Sequence, residues 1–266
     1  MNAVKVFIMT DLEGATGVAG NWGDFNPGGK EHESARRLLT GDVNAAIVGA
    51  FEGGADEIVV LDGHGAAFSI VIEDLDPRAQ LVRGRRMMEL EGLDESFDLM
   101  LAVGAHSMAG TPDGILTHTL SHVGIDNIWL NGQLIGEIGL WAVLAGHYEV
   151  PLGMVTGDSA AVREAKALLG EIETVAVKEA TSRFAAKCLH PKITSKLISE
   201  AAKRATARVE EFKPYKPKVP FELKVEFHDS ERAERVAKRK GIVRIDGRTV
   251  SCRGDDVLEL YAALIY

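Results

Sequence analysis

Three short apolar runs constrain this chain more than any other feature. Val4 to Thr10, Glu57 to Leu61 and Asp98 to Gly104 are rich in Val, Ile and Leu and are followed closely by glycine. Such runs read as buried parallel strands. Each is followed by a residue able to bind a cation: Asp11-Leu12-Glu13-Gly14, Asp62-Gly63-His64-Gly65 and Ala105-His106-Ser107. In an open parallel sheet, ligands bind outside the carboxyl ends of the strands. Three such ends can therefore converge on one crevice. Carboxylate and imidazole together suit zinc or a similar divalent ion.

The segments between the runs alternate with them. Apolar residues from Ala35 to Ala50 recur at helical spacing and predict a helix over Lys30 to Glu52, stopped by Gly53-Gly54. Further strands are expected at Ala79 to Val82, Ile115 to His122, Asn127 to Leu130, Pro151 to Val155 and Thr174 to Val177. Helices are expected near Arg86 to Glu91, over Gly136 to Gly146 and over Ala160 to Leu169, the last capped by Ser159. Asn131-Gly132 is a hairpin turn signal. Composition shifts after Thr181. A long charged helix, Ile193 to Phe212, precedes a Lys/Pro stretch to Lys218, then a strand (Phe221 to Phe227), a helix (Glu231 to Lys240), a strand or hairpin (Val243 to Cys252) and a helix capped by Asp255. The expected architecture is α/β: a mostly parallel sheet with flanking helices over residues 1–181, and a smaller C-terminal α/β portion over 182–266.

Bulk properties exclude several functions. The chain has 266 residues, 46% of them hydrophobic, enough for a sizeable core. Its net charge is −9 and it has no basic stripe, which argues against nucleic acid as a partner. No run approaches the ~18 apolar residues needed to span a bilayer. Cys188 and Cys252 are too few for a disulfide framework. With no secretory leader pattern, the expected location is the cytoplasm.

The candidate site residues each have an ordinary reading as well. Asp11 and Glu13, two apart at a strand end, point the same way; they form either a solvated turn or a pair that needs a cation between its charges. His64 and His106 are either surface histidines or ligands raised to the strand ends. Glu137, at the start of a predicted helix, suits the helix dipole with no metal at all. His118 and His122, four apart, suit a metal pair or a positioned acid/base, with a structural role favoured for His122. No nucleophile elbow, P-loop or complete dinucleotide fingerprint is present.

Taken in order, Asp11-Leu-Glu-Gly14, Leu61-Asp-Gly-His64, Gly104-Ala-His-Ser-Met-Ala-Gly-Thr-Pro112, Thr117-His118, Asn131 to Leu140, Thr156-Gly-Asp158 and Val177 to Leu189 resemble the M55 metallopeptidases, the D-aminopeptidases of the DppA type. The resemblance covers nearly the whole chain; Asn21 to Gly29 departs from it. It implies two zinc ions per chain, held by Asp11, Glu13, His64, His106 and Glu137, with Asp11 bridging and His118 catalytic. It implies a zinc-dependent aminopeptidase acting on peptides with an N-terminal D-amino acid, such as D-Ala peptides, through a metal-activated water. It also implies a homo-oligomer, a ring such as a decamer. Asp158 is expected to orient a ligand. Competing expectations are an amidase of γ-D-glutamyl cell-wall peptides, a non-catalytic accessory of dipeptide uptake and a metal phosphoesterase.

Overall fold

The computed structural model describes residues 3–65 and 68–266. Its strands are β1 (Lys5–Thr10), β2 (Glu57–Asp62), β3 (Gln80–Val82), β4 (Leu99–Ala105), β5 (Ile125–Leu130), β6 (Gln133–Ile135), β7 (Leu152–Asp158), β8 (Glu173–Ser182), β9 (Ala185–Cys188), β10 (Phe221–Phe227), β11 (Val243–Arg244) and β12 (Thr249–Gly254). Its helices are α1 (Trp22–Phe25), α2 (His32–Glu52), α3 (Glu137–His147), α4 (Ser159–Leu169), α5 (Pro191–Ala207), α6 (Ser230–Ala237) and α7 (Val257–Ile265). No helix among the described residues is long and apolar enough to cross a membrane.

The first sheet has the order β3-β2-β1-β4-β7-β8-β9, parallel throughout except for β9. The three apolar runs of the sequence are its central strands, β2, β1 and β4. Their alternate residues divide between two cores. Val6 and Ile8 pack with Leu39, Ile47 and Ile198 of α2 and α5. Phe7 and Met9 pack on the other side with α3 and the second sheet. A period of two in a strand covered on both faces produces this division.

The second sheet, β11-β12-β10-β5-β6, is antiparallel. The Asn131-Gly132 turn closes β5 onto β6, and both residues take positive φ (51° and 83°), as a two-residue hairpin loop requires. The two sheets do not divide the chain at residue 181. β5 and β6 belong to the sheet of the C-terminal strands, and α5 packs against α2 on the first sheet.

Several expected elements differ. Ile115 to His122 forms no strand. Its backbone donors go to scattered acceptors instead of a ladder: Ile115 N to Asp158, Leu116 N to the Arg183 carbonyl and Leu120 N to Glu137. Arg86 to Glu91 is a turn, with the Glu91 carboxylate accepting from Met87 N and Met88 N. Asp158, not Ser159, caps α4, and Asp256, not Asp255, caps α7. α5 ends at Ala207, and a separate 3₁₀ turn covers Val209–Glu211.

Candidate metal centre

Register puts the first donors together. Thr10 of β1 lies beside Asp62 of β2 and Val103 of β4. Asp11 therefore emerges between the two histidine-bearing strand ends. The turn after it is tied back by hydrogen bonds from Asp11 N to the Val103 carbonyl (2.9 Å) and from Gly14 N to the Gly104 carbonyl (2.8 Å). Gly14 approaches β4 so closely that a Cβ would overlap the Ala105 carbonyl. Gly104 has φ 85° and faces the Asp11 carbonyl. Glycine at these two positions lets Asp11 and Glu13 reach the crevice.

All six residues singled out in the sequence converge. Asp11 Oδ1 is 3.1 Å from His64 Nδ1 and its Oδ2 is 3.3 Å from His106 Nε2. Glu13 Oε2 lies 2.9 Å from His64 Nδ1, and Glu137 Oε1 lies 3.1 Å from His106 Nε2. His118 Nε2 faces Glu13 and Glu137 at 4.0 and 3.8 Å, and its ring stacks on His106 with centroids 3.9 Å apart. His122 stays outside the cluster and stacks on Trp22 at 4.2 Å.

The hydrogen-bond partners settle which ring nitrogens face inward. His106 Nδ1 lies 3.0 Å from the Ser107 carbonyl and His118 Nδ1 lies 2.9 Å from the Leu116 carbonyl. A carbonyl only accepts, so both Nδ1 atoms donate, and a neutral ring then turns an Nε2 lone pair inward. Lone pairs facing carboxylate oxygens at this range repel unless a positive charge lies between them. Asp11 Oδ2, Glu13 Oε2 and His106 Nε2 are all buried and make no well-aligned hydrogen bond, although Glu13 Oε2 has His64 Nδ1 at 2.9 Å and His106 Nε2 has Glu137 Oε1 at 3.1 Å. A polar atom without a well-aligned partner is costly to bury, and three in one cluster fit a cation. Four donors about 2.1 Å from a tetrahedral zinc lie roughly 3.4 Å from one another, close to the spacings here. Asp11, Glu13 and His106 form one potential metal group, and His106, His118 and Glu137 another.

With protons as the only positive charges, the strain on the cluster shows in its acidities. Burial, then the Glu13 charge, pushes Asp11 up to about 7. Burial would raise Glu13 too, but His64 beside it holds its carboxyl well below the usual range. His64 and His106 resist burial and are held well above the ordinary imidazole value, chiefly by Glu13 and by Glu137 respectively. His118, desolvated and next to His106, is pushed down to about 4. Two charged imidazoles against three carboxylates is the arrangement a divalent ion would replace.

Some supporting residues carried no legible role in the sequence. Lys178 is 2% exposed and its Nζ donates to the carbonyls of Glu13, Ala15 and Val18 at 2.6–2.7 Å. Burial pushes it down to about 8. Asp42 accepts from Thr16 N at 2.8 Å. Glu164 accepts from Met108 N at 2.8 Å and steadies the strand end carrying His106. Asp158 contacts no member of the cluster through a hydrogen bond; it caps α4 and anchors the His118 loop at Ile115. The divergent segment 21–29 borders the cavity through Trp22 and Asn26, with Trp22 edge-on to His118 at 4.9 Å.

Comparison with known proteins bears on this geometry. The M55 peptidase family model, described as D-aminopeptidase, matches residues 4–265. The chain is 33% identical over 265 residues to a D-aminopeptidase of Bacillus subtilis (strain 168), spanning 98% of this chain and 96% of that protein. It is similar, with a TM-score of 0.93 and 33% identity, to the solved structure of the Zn-dependent D-aminopeptidase DppA from Bacillus subtilis, described as a self-compartmentalizing protease. That match covers 98% of this chain and 96% of the other.

Proposed function

The chain belongs to the M55 peptidases, the D-aminopeptidase family, and from that premise we propose that it is a zinc-dependent aminopeptidase cleaving peptides behind an N-terminal D-amino acid, D-Ala di- and oligopeptides among them. The observation that carries this reading is the set of buried, inward-facing acceptors on Asp11, Glu13 and His106 that make no well-aligned hydrogen bond. Asp11, Glu13, His64, His106 and Glu137 are the proposed metal ligands. Two ions per chain are supported by Asp11, whose two oxygens face different histidines, so that it can bridge. The chemistry zinc supplies when bound is Lewis acidity and a lowered pKa for a neighbouring water.

The chain's own groups supply the rest. Burial, the largest cause, pushes His118 down to about 4, and its Nε2 faces Glu13 and Glu137. It can take a proton from the attacking water and return it to the leaving amine nitrogen. The Leu116 carbonyl fixes its ring and tautomer. Trp22 packs edge-on against His118, and His122 stacks on the Trp22 ring.

A closed homo-oligomeric ring, such as a decamer, is the proposed assembly, on the strength of the self-compartmentalizing relative. A cytoplasmic location accords with two unpaired cysteines, Cys188 exposed and Cys252 buried.

The test is elemental analysis of protein purified without chelator, followed by turnover of D-Ala-D-Ala, L-Ala-L-Ala and a γ-D-glutamyl peptide. About two zinc ions per chain and D-selective, chelator-sensitive cleavage are expected. A chain that stays metal-free after zinc is returned, or that prefers L-peptides, overturns the proposal.

A further inference from the structure

The cavity bordered by Asp11, Glu13, His64, His118 and Glu137 has a volume of about 660 Å³ and extends well past these five residues. Arg86, Arg232, Arg235 and Arg239 also border it. Four guanidinium groups on one cavity stand out in a chain of net charge −9. Two of them are already engaged. Arg239 donates to the carbonyls of Ala263 (2.7 Å) and Tyr266 (3.2 Å). Arg86 donates to the Glu89 carbonyl at 3.4 Å and lies 3.9 Å from its carboxylate.

Arg232 and Arg235 differ from these. Neither side chain is in an ion pair among the described residues, and Glu234, between them in sequence, pairs with Lys238 at 3.4 Å. Among the described residues the Arg232 guanidinium makes no hydrogen bond or ion pair; it lies over the Phe227 ring at 6.0 Å, and its backbone N–H donates to Asp229. Three residues apart on α6, the two side chains share a helix face.

The Arg232 head group lies against Gly124, where a Cβ would overlap Nη1, and that same point is 2.9 Å from Ser121 Oγ. Leu120, the residue before Ser121, donates its N–H to Glu137 Oε1 at 2.7 Å. This short path keeps the guanidinium within roughly 14 Å of the Glu137 carboxylate, the reach of about four extended residues.

We propose that Arg232, assisted by Arg235, is a carboxylate-binding subsite of this cavity, and that the substrates are short peptides with a free carboxylate within about four residues of the N-terminal D-residue. The planar guanidinium matches a carboxylate through two parallel hydrogen bonds. The carboxylate is either the peptide's C-terminus or an acidic side chain. This inference rests on the aminopeptidase reading.

The experiment compares kcat/KM for D-Ala-D-Ala, its C-terminal amide, and D-Ala-D-Glu with the α-carboxylate amidated. The wild-type protein should favour the free acid over the amide by about 10- to 100-fold, the worth of a charged hydrogen bond. Arg232→Gln should abolish that preference, Arg232→Lys should keep part of it, and Arg253→Gln, on the exposed face of β12 with Glu222 at 3.1 Å, should keep all of it. Rates on the third peptide close to the free acid support a side-chain carboxylate, and rates close to the amide support the C-terminus. Equal wild-type rates on acid and amide, or an equal loss on both in Arg232→Gln, overturn the subsite and leave D-peptide hydrolysis standing. Should no peptide be cleaved, the aminopeptidase reading fails. Calorimetric titration of the zinc-loaded protein with acid and amide then decides the subsite: tighter binding of the acid, lost in Arg232→Gln, supports it, and equal or absent binding overturns it. If Arg232→Gln does not fold, Arg235→Gln is read in the same assays, and an unchanged acid preference there counts against the subsite.

Discussion

Two segments border the centre, and they are held in different ways. Residues 11–18 continue β1 and are pinned to β4 through Val103 and Gly104 and to β8 through Lys178. Residues 107–124 belong to no strand or helix. Side chains of Asp158, Arg183, Glu137 and Glu164 hold them at single points. Two leucines there, Leu116 and Leu120, take positive φ (53° and 60°), a conformation that costs a non-glycine residue of order 1 kcal/mol or more. The first segment inherits its geometry from strand register and presents Asp11 and Glu13, the proposed ligands. The second is assembled from distant parts and presents His118, the proposed proton carrier. Metal retention should therefore depend on the first segment, and turnover on both.

The largest effects should come from the cluster itself. Asp11→Ala should remove most of the zinc, because the two oxygens of Asp11 face both His64 and His106. Glu137→Ala should leave about one ion per chain. Both should lower kcat/KM by at least about 10³-fold. Equal zinc loss in the two variants would break the bridging role. His118→Ala should reduce kcat by about 10²–10⁴-fold with zinc content unchanged; zinc loss there would move His118 into the ligand set.

Lys178→Met sharpens the contrast next. It leaves three buried carbonyls without their donor, at a cost of about 2–4 kcal/mol read in thermal unfolding, with weaker zinc retention. Asp158→Ala should cost about 1–2 kcal/mol through the lost α4 cap and should lower kcat while zinc stays bound. If it released zinc as readily as Lys178→Met, the two segments would not be separate in function.

The smallest effect is one of pH. Burial, opposed by the Thr16 hydrogen bond, raises Asp42 to about 6 in the folded chain, against 3.8 in the unfolded one. The folded state then binds the proton more tightly. The stability tied to protonated Asp42 is fully present below pH 3.8 and is lost as pH rises towards 6 and beyond. Two pH units correspond to at most about 3 kcal/mol. Asp42→Asn should flatten that part of the stability–pH curve; an unchanged curve would remove Asp42 from the support of residues 11–18.

The three strands, the α2 span, the hairpin at Asn131-Gly132 and α3 follow from periodicity and turn chemistry acting over a few residues. The structure departs from these local signals where neighbours in space replace neighbours in sequence. Ile115 to His122 has strand-like composition but spends its backbone donors on Asp158, Arg183 and Glu137. Arg86 to Glu91 turns because Glu89 is drawn inward to bond Trp141 (3.1 Å) and Tyr261 (2.9 Å). Ser159 and Asp255 were each one residue from the true cap, since the cap is whichever side chain reaches the free N–H groups.

The sequence by itself determined the alternation of strands and helices, the placement of acids and histidines at strand ends, and through the resemblance the six residues proposed for the centre. Tertiary structure alone decided which atoms of those residues face one another, that Lys178 reaches back 165 residues to hold the Glu13 turn, and that Arg232 and Arg235 border the same cavity. The physical reason is range. Periodicity and capping act within a few residues, whereas register, close glycine contacts and buried charge pairing exist only once distant segments have packed.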